Sequence, residues 1–358
     1  MQQRAIEALR VEPHPEPRSE QPASGPGLSR DEGSGETDEL RDEGPQDEGR
    51  ESHTAVALPQ WEVPTRARAT KLPSILHSLL QNKIAALGVL IVLGMIFVAI
   101  FAPSIAPHQP GGDVSIGEQL KRRLKPPAWV EGGSPEFLLG TDSLGRDILS
   151  RIIYGSRVSL TVGFTAVALS GTIGVILGLI SGYSGGVVDD IVMRVADIWL
   201  AFPFIILAIL FLSVLGPGLD KLIAVLALGG WVGYARVTRG QVLAVREKEY
   251  VEAARALGVP RVRILFRHIM PNTLAPIIVI SSFAVATTIL AEAALSFLGL
   301  GVKPAIPTWG SMLADGRDYL RDAWWLATFP GIAIMITVLG INLFGDWLRD
   351  YLDPRLRV

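Results

Sequence analysis

The residues able to do chemistry in this sequence are sparse and fall into small groups. Glu249, Glu252 and Arg255 mark EYVEAARALG, a charged stretch set between long apolar runs. Asp190, Arg194 and Asp197 stand at i, i+4 and i+7, the spacing of one helical stripe. Such a stripe can be a local set of ion pairs at a membrane interface or part of an inner gate. Glu292 is a lone carboxylate in an apolar region, and an acid placed in a membrane is by default a functional candidate. A hydrogen-bonded interfacial Glu and a substrate ligand both fit it. Gly140-Thr141-Asp142 and Gly145-Arg146-Asp147 suggest phosphate binding, but Asp142 or Ser143 as the N-cap of the helix leading to Arg151 fits better.

Several chemistries are excluded. The chain has no cysteine, so it can form neither disulfides nor thiolate or iron–sulfur sites. Its five histidines (His14, His53, His77, His108 and His268) form no HExxH or other close pair, so no metal is expected. No GxxxxGK[ST] loop is present to cradle a nucleotide phosphate, and no nucleophile–base pair is evident. The reading is therefore of a chain without catalytic residues or a cofactor of its own, and nothing in it points to nucleic acid.

The elements that must position these residues are apolar. The 358-residue chain is 49% hydrophobic and 19% charged, with a net charge of −2, and its mean hydropathy is +0.36. A bilayer core needs about 20 apolar residues per helix. Uncharged stretches at 84–102, 158–183, 198–219, 269–291 and 323–345 meet that length, and 222–235 falls short of it. Basic residues near a span favour the cytoplasmic side. Arg66, Arg68, Lys71 and Lys83 therefore place the N-terminus inside. Segment 236–272 carries eight Arg or Lys against three Glu, and it lies on the same side only if 222–235 also spans. Six spans are expected, with bilayer thinning accommodating the short one. Pro203, Pro276 and Pro330 permit kinks, and Gly163, Gly171, Gly174, Gly178 and Gly182 suit close helix packing.

Residues 31–51 hold ten acids and two arginines, a composition that cannot bury enough apolar surface to offset chain entropy. Disorder is expected there, as a solvated tail or an acidic interaction arm. No basic n-region with a following apolar core opens the chain, so no cleavable signal peptide is expected.

The stretch after Glu249 reads as an elbow. Tyr250, Ala253/Ala254 and Leu257 form one apolar stripe, Gly258 stops the helix at C′, and Pro260 opens the next helix at N1. Val262, Leu265/Phe266 and Ile269 form a second stripe. Such an elbow needs a groove to cover it, in lipid, in its own core or in a partner.

Glu252-Ala253-Ala254, Gly258 and Pro271 resemble the EAA loop of ABC importer permeases, with RHIMPN close to the RHILPN form of the peptide-importer branch. LLGTDSLGRDILSRIIYGSRVSL (138–160), GGVVDDIVMRVADIWLAFP (185–203), AEAALSFLGLG (291–301) and NLFGDWLRDYLDPRLR (342–357) are similar to the C-type permease subunit of dipeptide, oligopeptide and nickel ABC importers. KPAIPTWG (303–310) departs slightly from that pattern, and the acidic tail departs more.

The resemblance implies an all-α polytopic membrane protein with six transmembrane helices of the type I ABC importer permease kind. Composition sets off an acidic disordered tail at 1–70, and the resemblance implies a first transmembrane helix and periplasmic loop at 71–156, a permease domain at 157–350 with its coupling loop at 246–272, and a cytoplasmic C-terminus at 351–358. Glu249, Glu252, Ala253, Ala254, Leu257, Gly258 and Arg261 are the implied contacts to an ATPase, and Asp190, Arg194, Asp197 and Glu292 are gate or pathway candidates. The implied partners are a homologous B-type permease, two cytoplasmic ATPases that bind the ATP, an extracytoplasmic substrate-binding protein and a peptide substrate. The setting is a bacterial or archaeal plasma membrane, with both termini cytoplasmic. Nickel or sugars are alternative cargoes, and an ion-coupled secondary transporter is the competing class. Deleting residues 2–60 should leave transport intact in a cellular uptake assay, and lost uptake would assign the tail a role.

Overall fold

The computed structural model describes residues 79, 82–112, 115–302 and 305–352. The expected tail at 1–70, the basic flank Arg66, Arg68 and Lys71, and residues 353–358 lie outside them. The described residues are helical, with an isolated bridge between Thr141 and Asp147. The principal helices are α1 (Lys83–Ile100), α2 (Ile148–Ser184), α3 (Gly186–Leu200), α4 (Phe204–Leu215), α5 (Leu219–Arg246), α6 (Glu249–Ala256), α7 (Met270–Phe297), α8 (Trp309–Gly316) and α9 (Trp325–Leu352).

Four helical segments are long and apolar enough to cross a membrane alone: α1, α2, Arg261–Phe297 and α9. A fifth candidate is α3 with α4, which bend by 85°. The kink expected from Pro203 within a span at 198–219 is thus a corner. Ala201 closes α3 by donating to the carbonyls of Asp197 and Ile198, and Pro203 (φ −58°) caps α4. Proline disfavours a helical conformation in the residue before it, so the chain turns at Phe202. The short stretch 222–235 lies inside α5, whose 28 residues reach about 42 Å. No bilayer thinning is therefore needed. Arg236, Arg239 and Arg246 crowd its C-terminal half, so α5 does not pass on apolar length alone although it is long enough to be the sixth span.

α2 is the central post. It packs along α5 and also against α7 and α1, while α9 closes over α1, α7 and α8. The α2–α5 contact is built on small residues. A Cβ at Gly174 would collide with the Trp231 carbonyl oxygen. One at Gly178 would lie 2.5 Å from the Ala235 oxygen, and one at Gly182 2.8 Å from Val242 Cβ. Glycine brings the two backbones together, as membrane helices require. On the other side, a Cβ at Gly88 of α1 would lie 2.7 Å from Leu343 Cβ of α9. Leu160, Val167, Val285, Ile289, Ile334 and Ile341 fill the space between α2, α7 and α9.

Gly178→Val should destabilise the protein by about 1–3 kcal/mol or more through overpacking, read as a lowered thermal midpoint in detergent. Gly240→Ala on α5, where nothing lies within 4 Å of an added Cβ, should be neutral or stabilising by about 1 kcal/mol.

Candidate functional site

The elbow sits on the floor formed where α2 and α5 end. Val251 and Ala254 of α6 turn inward onto Leu179, Val242 and Val245, together with Ile264 and Ile269. This revises the expected stripe. Tyr250, Ala253 and Leu257 share a face, but it points outward, with Leu257 83% exposed. Glu249, Glu252 and Arg255 are exposed beside it. α6 is thus apolar on two sides, with one satisfied internally and the other presented.

The turn after α6 follows from Gly258. Its φ of +75° is the left-handed conformation that glycine adopts at least cost. Gly258 N–H donates to Arg255 O at 3.0 Å and Val259 N–H to Ala254 O at 3.1 Å. This double closure is a Schellman motif, and it satisfies carbonyls that the helix end would leave bare. Pro260 stands at the cap position rather than at N1, ahead of the helical turn Arg261–Arg263. A π-helix, Ile264–Ile269, then leads into α7.

The π turn explains why the second expected stripe, Val262, Leu265/Phe266 and Ile269, is split. An i→i+5 repeat places residues five apart on one face. Ile264 and Ile269 are accordingly the buried pair, while Val262 and Phe266 are exposed. A reading at 3.6 residues per turn could not have found this register.

The charged residues of α3 are arranged across helices. No ion pair joins Asp190, Arg194 and Asp197 to one another among the described residues. Asp197 pairs instead with Arg236 of α5 at 2.5 Å. The stronger clasp uses Asp189, which sequence reasoning passed over. Arg239 donates from Nε and Nη2 to its two carboxylate oxygens, each at 2.5 Å, and Ser181 Oγ donates to Oδ1. This bidentate fork orients as well as attracts. It ties the start of α3 to α5 and to the end of α2, and Arg246 adds a bond to Gly182 O at 2.9 Å.

At the far end of α7, Glu292 is fully buried. It accepts from Ser159 Oγ of α2 at 3.1 Å and from Ser296 Oγ at 2.7 Å. Close by, Thr308 caps α8, and Trp309 donates to Ile152 O at 3.1 Å over Gly155. The expected cap of α2 is also revised. Asp147 accepts from Ser150 N–H at 3.0 Å and does the capping. Asp142 instead accepts from the backbone of Leu144 and Arg146 at 2.9 Å and binds the side chains of Arg146 and Arg151. Both arginines reach on to Asp315 at the end of α8, at 3.6 and 3.4 Å. Among the described residues no cluster of three His, Asp or Glu could hold a metal.

Residues 174–358 match the family described as "Binding-protein-dependent transport system inner membrane component". Residues 74–127 match the "N-terminal TM domain of oligopeptide transport permease C". A di/tripeptide transport system permease protein of Pseudomonas aeruginosa is 43% identical over 295 residues, covering 82% of this chain and 95% of the relative. A dipeptide transport system permease protein of Escherichia coli K12 is 47% identical over 289 residues, covering 80% and 94%. The Haemophilus influenzae dipeptide permease is 43% identical over 293 residues, covering 82% and 98%. A solved MetNI methionine ABC transporter, in an inward-facing conformation, aligns at 19% identity with a TM-score of 0.47, covering 57% of this chain and 96% of that one. The chain belongs to the family of binding-protein-dependent transport system inner membrane components and is a membrane-spanning permease of an ABC importer.

Proposed function

We propose that this permease carries dipeptides or short oligopeptides inward, and that α6 is the helix through which partner ATPases drive it. The observation that carries the coupling role is the presented apolar stripe Tyr250, Ala253 and Leu257, on a helix whose other face is anchored by Val251 and Ala254. A free apolar stripe ringed by Glu249, Glu252 and Arg255 fits a cleft with apolar walls and a polar rim. Arg261 follows the turn and extends that rim. The peptide cargo is supported by the substrates named for the relatives.

In this reading two ATPase chains bind the ATP, a homologous B-type permease completes the pore, and an extracytoplasmic binding protein delivers the peptide. The membrane is the plasma membrane of a bacterium or archaeon, with both termini and the elbow on the cytoplasmic side. Force on α6 passes through Val251 and Ala254 to Leu179 of α2 and to Val242 and Val245 of α5. The Asp189–Arg239 clasp makes α3 follow the same motion, carrying the gate candidates Asp190, Arg194 and Asp197 with it. Alternating access follows as a rearrangement of packed helices between two arrangements. Glu292 acts as a tie between α2 and α7 rather than as a peptide ligand, since its carboxylate is enclosed and accepts from Ser159 and Ser296.

Leu257→Asp leaves the core untouched and should lower copurification of the ATPase chains about tenfold or more, because one buried leucine is worth about 1.5–3 kcal/mol. Gly258→Pro should abolish their copurification while membrane insertion is retained. Unchanged companions in both variants, or ATP-independent transport by the chain alone in liposomes, would overturn the coupling role. Glu292→Gln keeps the hydrogen-bonding shape, so peptide uptake should stay within about twofold of the wild type, a change below about 0.5 kcal/mol. A large loss with the fold intact would assign the charge itself a role in the pathway.

A further inference from the structure

Beside the elbow runs a groove of about 660 Å³ lined by Pro260, Val262, Arg263, Phe266, Arg267 and Pro271. Its chemistry is mixed. Arg263 and Arg267 stand at i and i+4, both exposed, and no carboxylate among the described residues lies within ion-pair distance of either. Arg236, Arg239 and Arg246 of α5, by contrast, each have an acid. Val262 and Phe266 lie between them, 68% and 52% exposed. The π turn that buries Ile264 and Ile269 is what leaves these four side chains on the outer surface.

Position decides what can cover them. Arg267 is two residues before Ile269, where the uncharged run begins, and Arg263 is six before it. At about 1.5 Å per residue this places the guanidinium-bearing backbone about 3–9 Å outside the apolar run, at headgroup depth. A phospholipid answers both features, with phosphate on the cations and acyl chain on the apolar wall. We propose that Arg263, Arg267, Val262 and Phe266 seat an anionic phospholipid of the leaflet on the elbow's side. The seated lipid braces the π turn from outside and holds the elbow at a fixed depth.

The test uses the whole importer, purified with its companions and placed in nanodiscs of phosphatidylcholine with or without phosphatidylglycerol. Native mass spectrometry counts retained phosphatidylglycerol, and a thermal scan reads its stabilising shift. The wild type should retain the anionic lipid and gain thermal stability from it, and phosphatidylcholine should give neither result. Two guanidinia at a membrane surface are together worth about thirtyfold in affinity, so Arg263→Gln with Arg267→Gln should lose that retention and most of the shift. Arg263→Lys with Arg267→Lys should keep most of both, which separates lost charge from lost fold. Equal retention and shift in the Gln variant would overturn the proposal. A matching shift from inorganic phosphate in pure phosphatidylcholine would also overturn it, by reducing the seat to a simple anion site. So would loss of the ATPase chains from the Gln variant in phosphatidylcholine, because the groove would then be a protein dock.

Discussion

Apolar helices in a bilayer gain little by exchanging lipid for one another, so their attachment rests on close contact and on polar ties. Here that contact is the glycine seam of α2 against α5. With Gly174, Gly178 and Gly182 under Trp231, Ala235 and Val242, the two backbones run side by side to the end that carries the elbow. Two things follow from that approach alone. Arg239 is delivered within reach of Asp189, and Val242 and Val245 come level with Leu179 to make the floor on which α6 rests. The elbow's placement therefore depends on the absence of three side chains along the seam that leads to it.

The two ends of the molecule manage charge differently. On the elbow side, acids and arginines from separate helices meet near the surface, so each pair joins elements without deep burial. At the opposite end Asp142 and Arg151 are nearly sealed and share Arg146 and Asp315. A buried pair is costly to break once formed, because each partner would be left as an unpaired charge. That end, with Trp309 over Gly155 and Glu292 among hydroxyls, is built as a fixed lid-like assembly of α2, α7 and α8.

How much of this was legible follows from range. Long uncharged runs announce α1, α2, α7 and α9, because a span is a local property of about 20 residues. Gly258 as a helix stop was equally local, and its φ of +75° agrees with that reading. The misreadings share a cause. Asp197 looked like a partner for Arg194 on its own helix, but its cation comes from Arg236, 39 residues away. Asp142 looked like a cap, but Arg151 and Arg146 claim it, and Asp147 caps instead. Pro203 was read as a kink within a span, whereas it marks an 85° corner. The first apolar stripe of the elbow was located without saying what covers it, and Ala254 leaves it for the core; the second is split, with Ile269 buried and Val262 and Phe266 exposed, because amphipathicity says that two faces differ without saying which one meets the core.

The π turn at Ile264–Ile269 carries a consequence of its own. It holds one residue more than an α-helical turn would need between the same two anchors, and so works as a phase shifter in the chain. Each residue of an α-helix advances the azimuth by about 100°. Were that surplus residue absorbed into regular helix, the elbow just upstream would be rotated by about that angle relative to α7. The stripe of α6 would then look in a different direction while every span kept its place. The aim of the elbow thus depends on the pitch of a single turn as well as on the floor beneath α6.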